Sequence, residues 1–172
     1  MFFMDRGIDS GDIIAQKKTK IQDCDNIIDL KKRIDSLAVE LIAENINSSI
    51  KGTVKRIKQP IEGTYGCQRI PDDGKIDWSK SSRYIFNLIR ASEPSYPAFT
   101  FYNSKKLFIL EAELIENKIY CGTIGQIAMT LKDGSVIVIT GDGVLKIKKV
   151  QLENEQPVNA KAYLNSSKIR LV

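Results

Sequence analysis

Histidine is absent from the 172 residues of this sequence. Without an imidazole, the chain cannot assemble a Ser-His-Asp or Cys-His catalytic site by itself, and a metal site would lack its commonest protein ligand. We therefore expect neither a nucleophilic triad nor a bound metal from this sequence alone.

Cysteines and long apolar runs are also scarce. The three cysteines, Cys24, Cys67 and Cys121, lie far apart and form no CxxC pair, which is typical of reduced thiols rather than of a disulfide framework. The longest apolar runs are too short to span a bilayer, and Asp5 and Arg6 interrupt the apolar N-terminus before a signal peptide could form. These features predict a cytoplasmic protein.

Acidic residues are missing from two stretches of this mildly basic chain. The sequence has 26 Lys plus Arg against 21 Asp plus Glu, a net charge of +5, which permits an anionic partner without requiring one. No acid occurs between Glu44 and Glu62 or within residues 156–172. The cations there either form solvated faces or contact phosphate. They are Lys51, Lys55, Arg56, Lys58, Lys161, Lys168 and Arg170.

Apolar residues recur at helical spacing in two segments. After Asp25, which can act as an N-cap, the pattern predicts an amphipathic helix that ends near Asn47. A second, shorter helix is predicted after a cap at Ser79 and before Pro94. The apolar positions are Ile27, Leu30, Ile34, Leu37, Leu41 and Ile42 in the first helix and Tyr84, Ile85, Leu88 and Ile89 in the second.

The remainder of the chain is predicted to form five antiparallel strands joined by short turns. Two of the four turn signals are the Asp-Gly pair that favours tight hairpins. Five short strands with such turns favour a small open barrel of the OB kind, so the expected fold class is α+β. The strands cover residues 99–102, 107–114, 122–130, 135–140 and 144–150, and the turns are Asn103-Ser104, Asn117-Lys118, Asp133-Gly134 and Asp142-Gly143.

An Asp-x-Gly turn near the N-terminus carries the strongest candidate for chemistry. In residues 7–14, Gly-Ile-Asp-Ser-Gly-Asp-Ile-Ile, Asp9 follows the apolar Ile8 and precedes a tight glycine turn. A carboxylate partly withdrawn from water at the end of a strand suits proton transfer. The alternative is that Asp9 or Asp12 only stabilises the turn through a side-chain hydrogen bond.

Four segments, in order, resemble motifs of the formyltransferase family that uses 10-formyltetrahydrofolate, whose members act on methionyl-tRNA or on amino sugars. Residues 7–14 are similar to the family's G-[IL]-D-T-G-D-I-I, and residues 72–78 to its D-G-x-I-D-W. Residues 87–99 are similar to LIRA…P-x-P-G-A-F, although the glycine expected after Pro97 is missing. Residues 138–145 are similar to V-x-T-G-D-G-x-L.

The resemblance implies roles for individual residues. Asp9 matches the family's catalytic carboxylate, and the backbone around it helps to hold the pteridine ring of the formyl donor, 10-formyltetrahydrofolate. The candidate cofactor-binding residues are Arg6, Gly7, Ile8 and Asp9, and the candidate substrate-binding residues are Arg69, Lys161, Lys168 and Arg170.

The resemblance also implies that this is the C-terminal portion of an enzyme. A full member has a preceding Rossmann-like domain, whose Asn and His complete the site. We expect residues 1–58 to be the end of that catalytic domain, 59–78 a linker and 79–172 the C-terminal OB-like domain. Because losing one oxyanion donor typically costs about 2.7–4 kcal/mol, the chain without its N-terminal half is expected to be inactive.

Three functions remain open from the sequence. Formylation of initiator methionyl-tRNA is slightly favoured by the complete barrel and the basic tail, which could contact phosphates. Formylation of a nucleotide-linked amino sugar is favoured by residues 64–71, which resemble the T-Y-x-x-R-R-x-P of amino-sugar enzymes. A non-catalytic RNA-binding module, or a degenerate fragment, is the third. Aromatic residues on the predicted strands could stack on bases, although such residues are more often core: Phe99, Phe101, Tyr102 and Phe108.

Overall fold

The computed structural model describes residues 1–60, 62–92, 94–116 and 120–172. The chain divides into two compact units, unit one (Met1–Gln68) and unit two (Arg69–Val172). The turn predicted at Asn117-Lys118 lies outside the described residues. In the described ranges, no helix is long and apolar enough to cross a bilayer.

Unit one contains one long helix, α1 (Ile27–Ile50). Its N-cap is Asn26, whose side-chain oxygen accepts hydrogen bonds from the N–H groups of Ile28 (2.8 Å) and Asp29 (3.0 Å). The predicted cap, Asp25, is therefore wrong by one residue. The Asp25 carboxylate is buried and instead binds the Arg33 guanidinium and the N–H of Gln22.

The N-terminal segment of unit one is held by isolated backbone bridges rather than by a sheet. Phe2 pairs with Ile13, and Ile13 pairs in turn with Ile57. The segment is also tied to α1, because the Lys17 ammonium lies 2.9 Å from the Glu40 carboxylate. Among the described residues of unit one, those classed as buried are Gly11, Ile14 and Asp25. Unit one therefore has almost no hydrophobic core of its own.

In its described residues, unit two contains a six-stranded antiparallel sheet and one α-helix, α2 (Ser82–Ala91). The strands follow the order β1-β2-β5-β4-β3, and β6 pairs with β5. The five predicted strands are confirmed with adjusted ends, and the two-residue β6 was not predicted. The strands are β1 (Phe99–Tyr102), β2 (Lys105–Leu114), β3 (Ile127–Thr130), β4 (Val136–Ile139), β5 (Val144–Leu152) and β6 (Val158–Asn159).

The core of unit two lies between α2 and the sheet. Ile85 and Ile89 of α2 pack in the same cluster as Val136 and Val138 of β4. Ile137 and Ile139 of β4 belong to a second, smaller cluster with Val144. Ile76 and Trp78, which the sequence assigned to a linker, are 1% and 3% exposed and belong to this core. The N–H of Ile76 donates to the Phe99 carbonyl at 2.7 Å, which fixes the segment against β1.

The C-terminal segment contacts both edges of the sheet path. The Val172 carbonyl accepts from the Phe101 N–H on β1 at 2.9 Å. Arg170 pairs with Gln126, and the Leu171 N–H donates to the Gly125 carbonyl at 2.9 Å, just before β3. The last residues of the chain thus lie between β1 and the start of β3.

Candidate functional site

The predicted catalytic residue lies on an exposed turn, the Asp9 loop (residues 5–11). The loop starts and ends where the Phe3 N–H donates to the Asp12 carbonyl at 2.9 Å. Asp9 is exposed and has a φ of 54°, a left-handed conformation that residues other than glycine adopt infrequently. Within the described structure its carboxylate accepts no hydrogen bond, so it faces solvent.

A different carboxylate stabilises the turn. One Asp5 side-chain oxygen accepts from the Gly7 N–H at 3.0 Å and from the Ser10 hydroxyl at 2.7 Å. The aspartate that stabilises the turn is therefore Asp5, and not Asp9 or Asp12 as the alternative interpretation of the motif predicts. Among the described residues, neither the Asp9 nor the Asp12 carboxylate accepts a hydrogen bond within the turn.

The far side of the Asp9 loop is held by a close backbone approach and by one amide. A Cβ atom on Gly11 would lie 1.6 Å from the Phe3 carbonyl oxygen, so only glycine fits at this position. The Gln59 side-chain nitrogen donates to the carbonyls of Asp9 (2.8 Å) and Gly11 (2.6 Å). Sequence reasoning missed Gln59, because no local pattern connects residues 48 and 50 positions apart.

The four predicted cofactor-binding residues lie together on this loop. Arg6, Gly7, Ile8 and Asp9 are all exposed, and the apolar Ile8 side chain is 83% exposed. In the described structure the N–H groups of Ile8 and Asp9 donate to no protein acceptor. The described loop therefore carries two backbone donors without a protein acceptor, an exposed apolar side chain and an exposed carboxylate within two consecutive residues.

The predicted substrate-binding residues belong to unit two and are spread over it. Arg69 lies at its start, where a guanidinium nitrogen is 3.4 Å from the Asp73 carbonyl. The Lys161 N–H donates to the Gly134 carbonyl in the turn after β3, whereas Arg170 pairs with Gln126 just before β3. Lys168 is exposed in the turn before Arg170. The cations of the tail thus lie at both ends of β3.

Two cations that the sequence analysis did not select lie over aromatic rings of β1. The Lys106 ammonium is 4.1 Å from the centroid of the Phe99 ring, and the Lys75 ammonium is 5.4 Å from that of Phe101. Phe99 is 3% exposed and belongs to the core. This agrees with the expectation that aromatic strand residues are more often core residues than base-stacking residues. Phe101 is half-buried.

The Thr-Gly-Asp-Gly segment of residues 140–143 has a structural role. The Asp142 carboxylate accepts from the Ser82 N–H at 2.7 Å, at the start of α2, and this bond lowers the pKa of Asp142. A Cβ atom on Gly141 would lie 1.8 Å from the Ser79 carbonyl oxygen. The segment therefore joins the β4–β5 turn to the N-terminus of α2.

The run from Asp72 to Trp78 is likewise structural. The Asp77 carboxylate accepts from the N–H (2.9 Å) and hydroxyl (2.6 Å) of Ser79, and these bonds lower the pKa of Asp77. Ser79 therefore serves the turn, and the N-cap of α2 is Ser81, not Ser79 as predicted. The Trp78 indole N–H donates to the Thr100 hydroxyl at 3.0 Å, which satisfies the one polar atom of a buried ring.

Comparisons with known proteins agree with these observations. Residues 69–168 match the family model "Formyl transferase, C-terminal domain". The chain is 35% identical to a methionyl-tRNA formyltransferase from Thermodesulfovibrio yellowstonii over 166 residues, 96% of this chain and 52% of that protein. It thus spans about half the length of the curated relatives it matches.

Solved structures of lower sequence identity are also similar to this chain. A HypX variant from Aquifex aeolicus is similar over 94% of this chain and 30% of its own, with a TM-score of 0.70 and 17% identity, which shows a shared fold. An N-formyltransferase from Helicobacter canadensis, in complex with folinic acid and dTDP-3-aminofucose, is 25% identical with a TM-score of 0.60, over 91% of this chain and 54% of its own.

Proposed function

The chain belongs to the formyltransferase family, since more than half of it matches that family's C-terminal domain, and we propose that it forms part of an enzyme that formylates methionyl-tRNA. The observation that carries the proposal is the Asp9 loop, which holds a solvent-facing carboxylate in an uncommon backbone conformation. Such conformations persist where the surrounding structure enforces them, and they cluster at functional sites.

In this proposal the Asp9 carboxylate orients the attacking amine and accepts the proton that its nitrogen loses. The new bond joins that nitrogen to the formyl carbon, and the bond from the formyl carbon to tetrahydrofolate breaks. The formyl donor, 10-formyltetrahydrofolate, supplies the formyl group. Arg6, Gly7, Ile8 and Asp9 would hold one edge of the donor, an assignment supported by the unused N–H groups of Ile8 and Asp9 and by the exposure of Ile8. The rest of the site would come from an N-terminal half of the kind that the twofold longer relatives carry.

That N-terminal half is also the proposed partner of α1. All 24 residues of α1 are described and none is buried. At 100° per residue, one face carries an apolar stripe that unit one leaves exposed. Since unit one buries so little apolar surface, this stripe suits a large apolar interface. The α1 stripe lies in the C-terminal half of the helix and consists of Val39, Ile42, Ile46 and Ile50, which are 68%, 50%, 40% and 77% exposed.

The proposed architecture divides the chain into three parts. Residues 1–58 would end a Rossmann-like catalytic domain, 59–78 would act as a linker, and 79–172 would form an OB-like C-terminal domain. Support for a barrel-like closure comes from the C-terminal segment, which bonds to β1 and to the residues before β3. A role in translation initiation and a cytoplasmic location belong to the same proposal.

The proposal is tested by restoring a full-length enzyme. The segment of the Thermodesulfovibrio yellowstonii protein that precedes the matched region is fused to this chain, and transfer of formyl groups to methionyl-tRNA is measured. We expect activity in the fusion, none in this chain alone and none in the fusion with Asp9→Asn. Full activity of the Asp9→Asn fusion would exclude Asp9 from the chemistry.

A second acceptor, a nucleotide-linked amino sugar, is supported by the similarity to the Helicobacter canadensis enzyme. Electrophoretic gel shifts separate the two acceptors, because binding to tRNA phosphates weakens steeply with salt. Binding of this chain at low salt that is lost at high salt favours tRNA. Substitution of Lys161, Lys168 and Arg170 by glutamine should then reduce the shift. No binding at low salt, together with formylation of dTDP-3-aminofucose by the fusion, favours the amino sugar.

A further inference from the structure

The conformation of Asp9 is imposed by contacts outside its own sequence neighbourhood. At φ 54° an L-residue crowds its Cβ against the following carbonyl, a cost that aspartate bears more readily than most residues and that bonds to the surrounding structure can offset. The Asp5 carboxylate holds the Gly7 to Ser10 part of the loop. It makes no contact with the carbonyl of Asp9 itself, which a second group must hold.

Gln59 supplies that second group. Its side-chain amide carries two hydrogens, and the Asp9 and Gly11 carbonyls lie 2.8 Å and 2.6 Å from the nitrogen. These carbonyls flank Ser10 on both sides. One bond thus fixes the Asp9–Ser10 peptide plane, which adjoins the Cα of Asp9, and the other fixes the Gly11–Asp12 plane at the end of the loop.

The backbone of Gln59 is itself anchored to the base of the same loop. Two residues earlier, Ile57 exchanges two hydrogen bonds with Ile13, at 2.8 Å and 3.0 Å. Pro60 follows and restricts the backbone of Gln59. Gln59 is half-buried, and its side-chain nitrogen donates to both carbonyls from this position.

We propose that Gln59 is a positioning residue that holds the Asp9 carboxylate in its working orientation through the carbonyls of Asp9 and Gly11. The inference rests on the proposed function of Asp9 in formyl transfer. Glutamine suits this position because both partners are acceptors. A glutamate carboxylate of the same size would oppose two carbonyl oxygens, and asparagine is one methylene shorter.

The structural part is tested on the full chain by NMR, with Gln59→Ala and Gln59→Glu. Gln68→Ala, which removes an exposed glutamine from the same unit, is the matched control. We expect both Gln59 variants to lose the left-handed chemical-shift signature of Asp9. The Phe3 amide should exchange about tenfold faster, as expected for the loss of two ordinary hydrogen bonds. Gln68→Ala should match the wild type.

Gln59→Glu also allows a pH-dependent test, which distinguishes a hydrogen-bonding role of Gln59 from a role in packing alone. Below about pH 4.3 a glutamic acid is protonated and offers one O–H donor. Acidification should therefore partly restore the Asp9 signature in Gln59→Glu and leave Gln59→Ala unchanged. Wild-type shifts at Asp9 in both variants at neutral pH would overturn the proposal.

The functional part uses the full-length fusion described above. Gln59→Ala and Gln59→Glu should lower kcat by about a hundredfold, the effect of a small misplacement of a catalytic group, with a smaller change in KM for the formyl donor. If Asp9→Asn is inactive while both Gln59 variants keep wild-type kcat, the positioning role is wrong and the proposed function stands. If Asp9→Asn is fully active, the proposed function itself fails.

Discussion

Asp142 shows how a residue inside a family-like motif can serve the fold rather than the chemistry. Its carboxylate accepts from the Ser82 N–H (2.7 Å) and the Ser82 hydroxyl (3.1 Å), while Ser81 caps the N–H of Tyr84. The bonds from the Ser82 and Tyr84 N–H groups satisfy donors that α2 leaves without an internal partner. The carboxylate charge also interacts favourably with the N-terminal end of the helix dipole.

This arrangement predicts a pH-dependent contribution to stability. The bond from the Ser82 N–H lowers the pKa of Asp142 below its usual 3.8, so its contribution is complete above that value and is lost as pH falls through the lowered pKa. Asp142→Asn should destabilise unit two by about 1 kcal/mol at pH 6, measured by urea unfolding followed through Trp78 fluorescence. The difference in unfolding free energy between the wild type and Asp142→Asn should become smaller towards pH 2. A difference that stays constant with pH would contradict this prediction.

At the scale of elements, α1 differs from α2 in how its apolar residues are used. Ile85 and Ile89 of α2 are buried against the sheet. In α1, the side towards Lys17 is half-buried at Leu37 and Leu41, whereas the α1 stripe is exposed. A helix with two apolar faces is typical of an element covered on both sides, and unit one supplies a cover for one of them.

We therefore predict that the α1 stripe binds the N-terminal half of the enzyme. In the double variant Val39→Asp and Ile42→Asp, the chain should capture the separately produced N-terminal half of the Thermodesulfovibrio yellowstonii relative at least about tenfold more weakly, since charges at the centre of an apolar interface are costly. Isothermal titration gives the affinity, and circular dichroism checks that the helix is kept. Ser36→Asp adds a charge to another exposed face of α1 and should bind like the wild type. Equal binding by the double variant would locate the interface elsewhere.

At the scale of the whole molecule, the apolar core is divided unequally. The main cluster of buried apolar side chains, including Trp78, Leu107 and Ile147, belongs to unit two. In unit one, Ile14 is the buried apolar side chain among the described residues. Since local stability follows buried apolar contact, the two units should not unfold together.

Two spectroscopic probes can separate the units. Trp78 is the single tryptophan and reports on unit two, whereas α1 supplies 24 of the α-helical residues against 10 from α2. On heating, the circular dichroism signal at 222 nm should lose its larger part at a midpoint about 10 °C or more below that of Trp78 fluorescence, a gap that corresponds to roughly 2 kcal/mol. Coincident transitions would mean that the chain unfolds as one cooperative body.

Much of unit two followed from local patterns. Alternation and Asp-Gly turns predicted β1, β2, β4 and β5, because strand periodicity and hairpin turns are properties of a few consecutive residues. β6 was missed since two residues carry no period. The start of β3 was placed five residues early, because the Gln126 side chain accepts from the Thr123 N–H at 3.1 Å and forms a turn instead.

The site was predictable only in part. Asp9 and its neighbours stand out by motif, and the structure presents them on one exposed loop. Gln59 could not be identified, because its partners lie 50 and 48 positions away along the chain. Asp5 bonds the Gly7 N–H two residues on, a local turn pattern that could have revealed it. Asp25 was assigned as a cap because helix-capping residues look alike in sequence. Its burial beside Arg33 is a tertiary contact.

By itself, the sequence determined that this chain holds no imidazole, carries the family's motifs in order and alternates in five strands, since composition, order and period are local properties. Only the tertiary structure decided that the Asp9 backbone is left-handed, that an amide 50 residues away holds it, and that the α1 stripe remains exposed. These depend on which surfaces meet in space. Contacts of that kind form between residues whose separation along the chain leaves no trace in any local pattern.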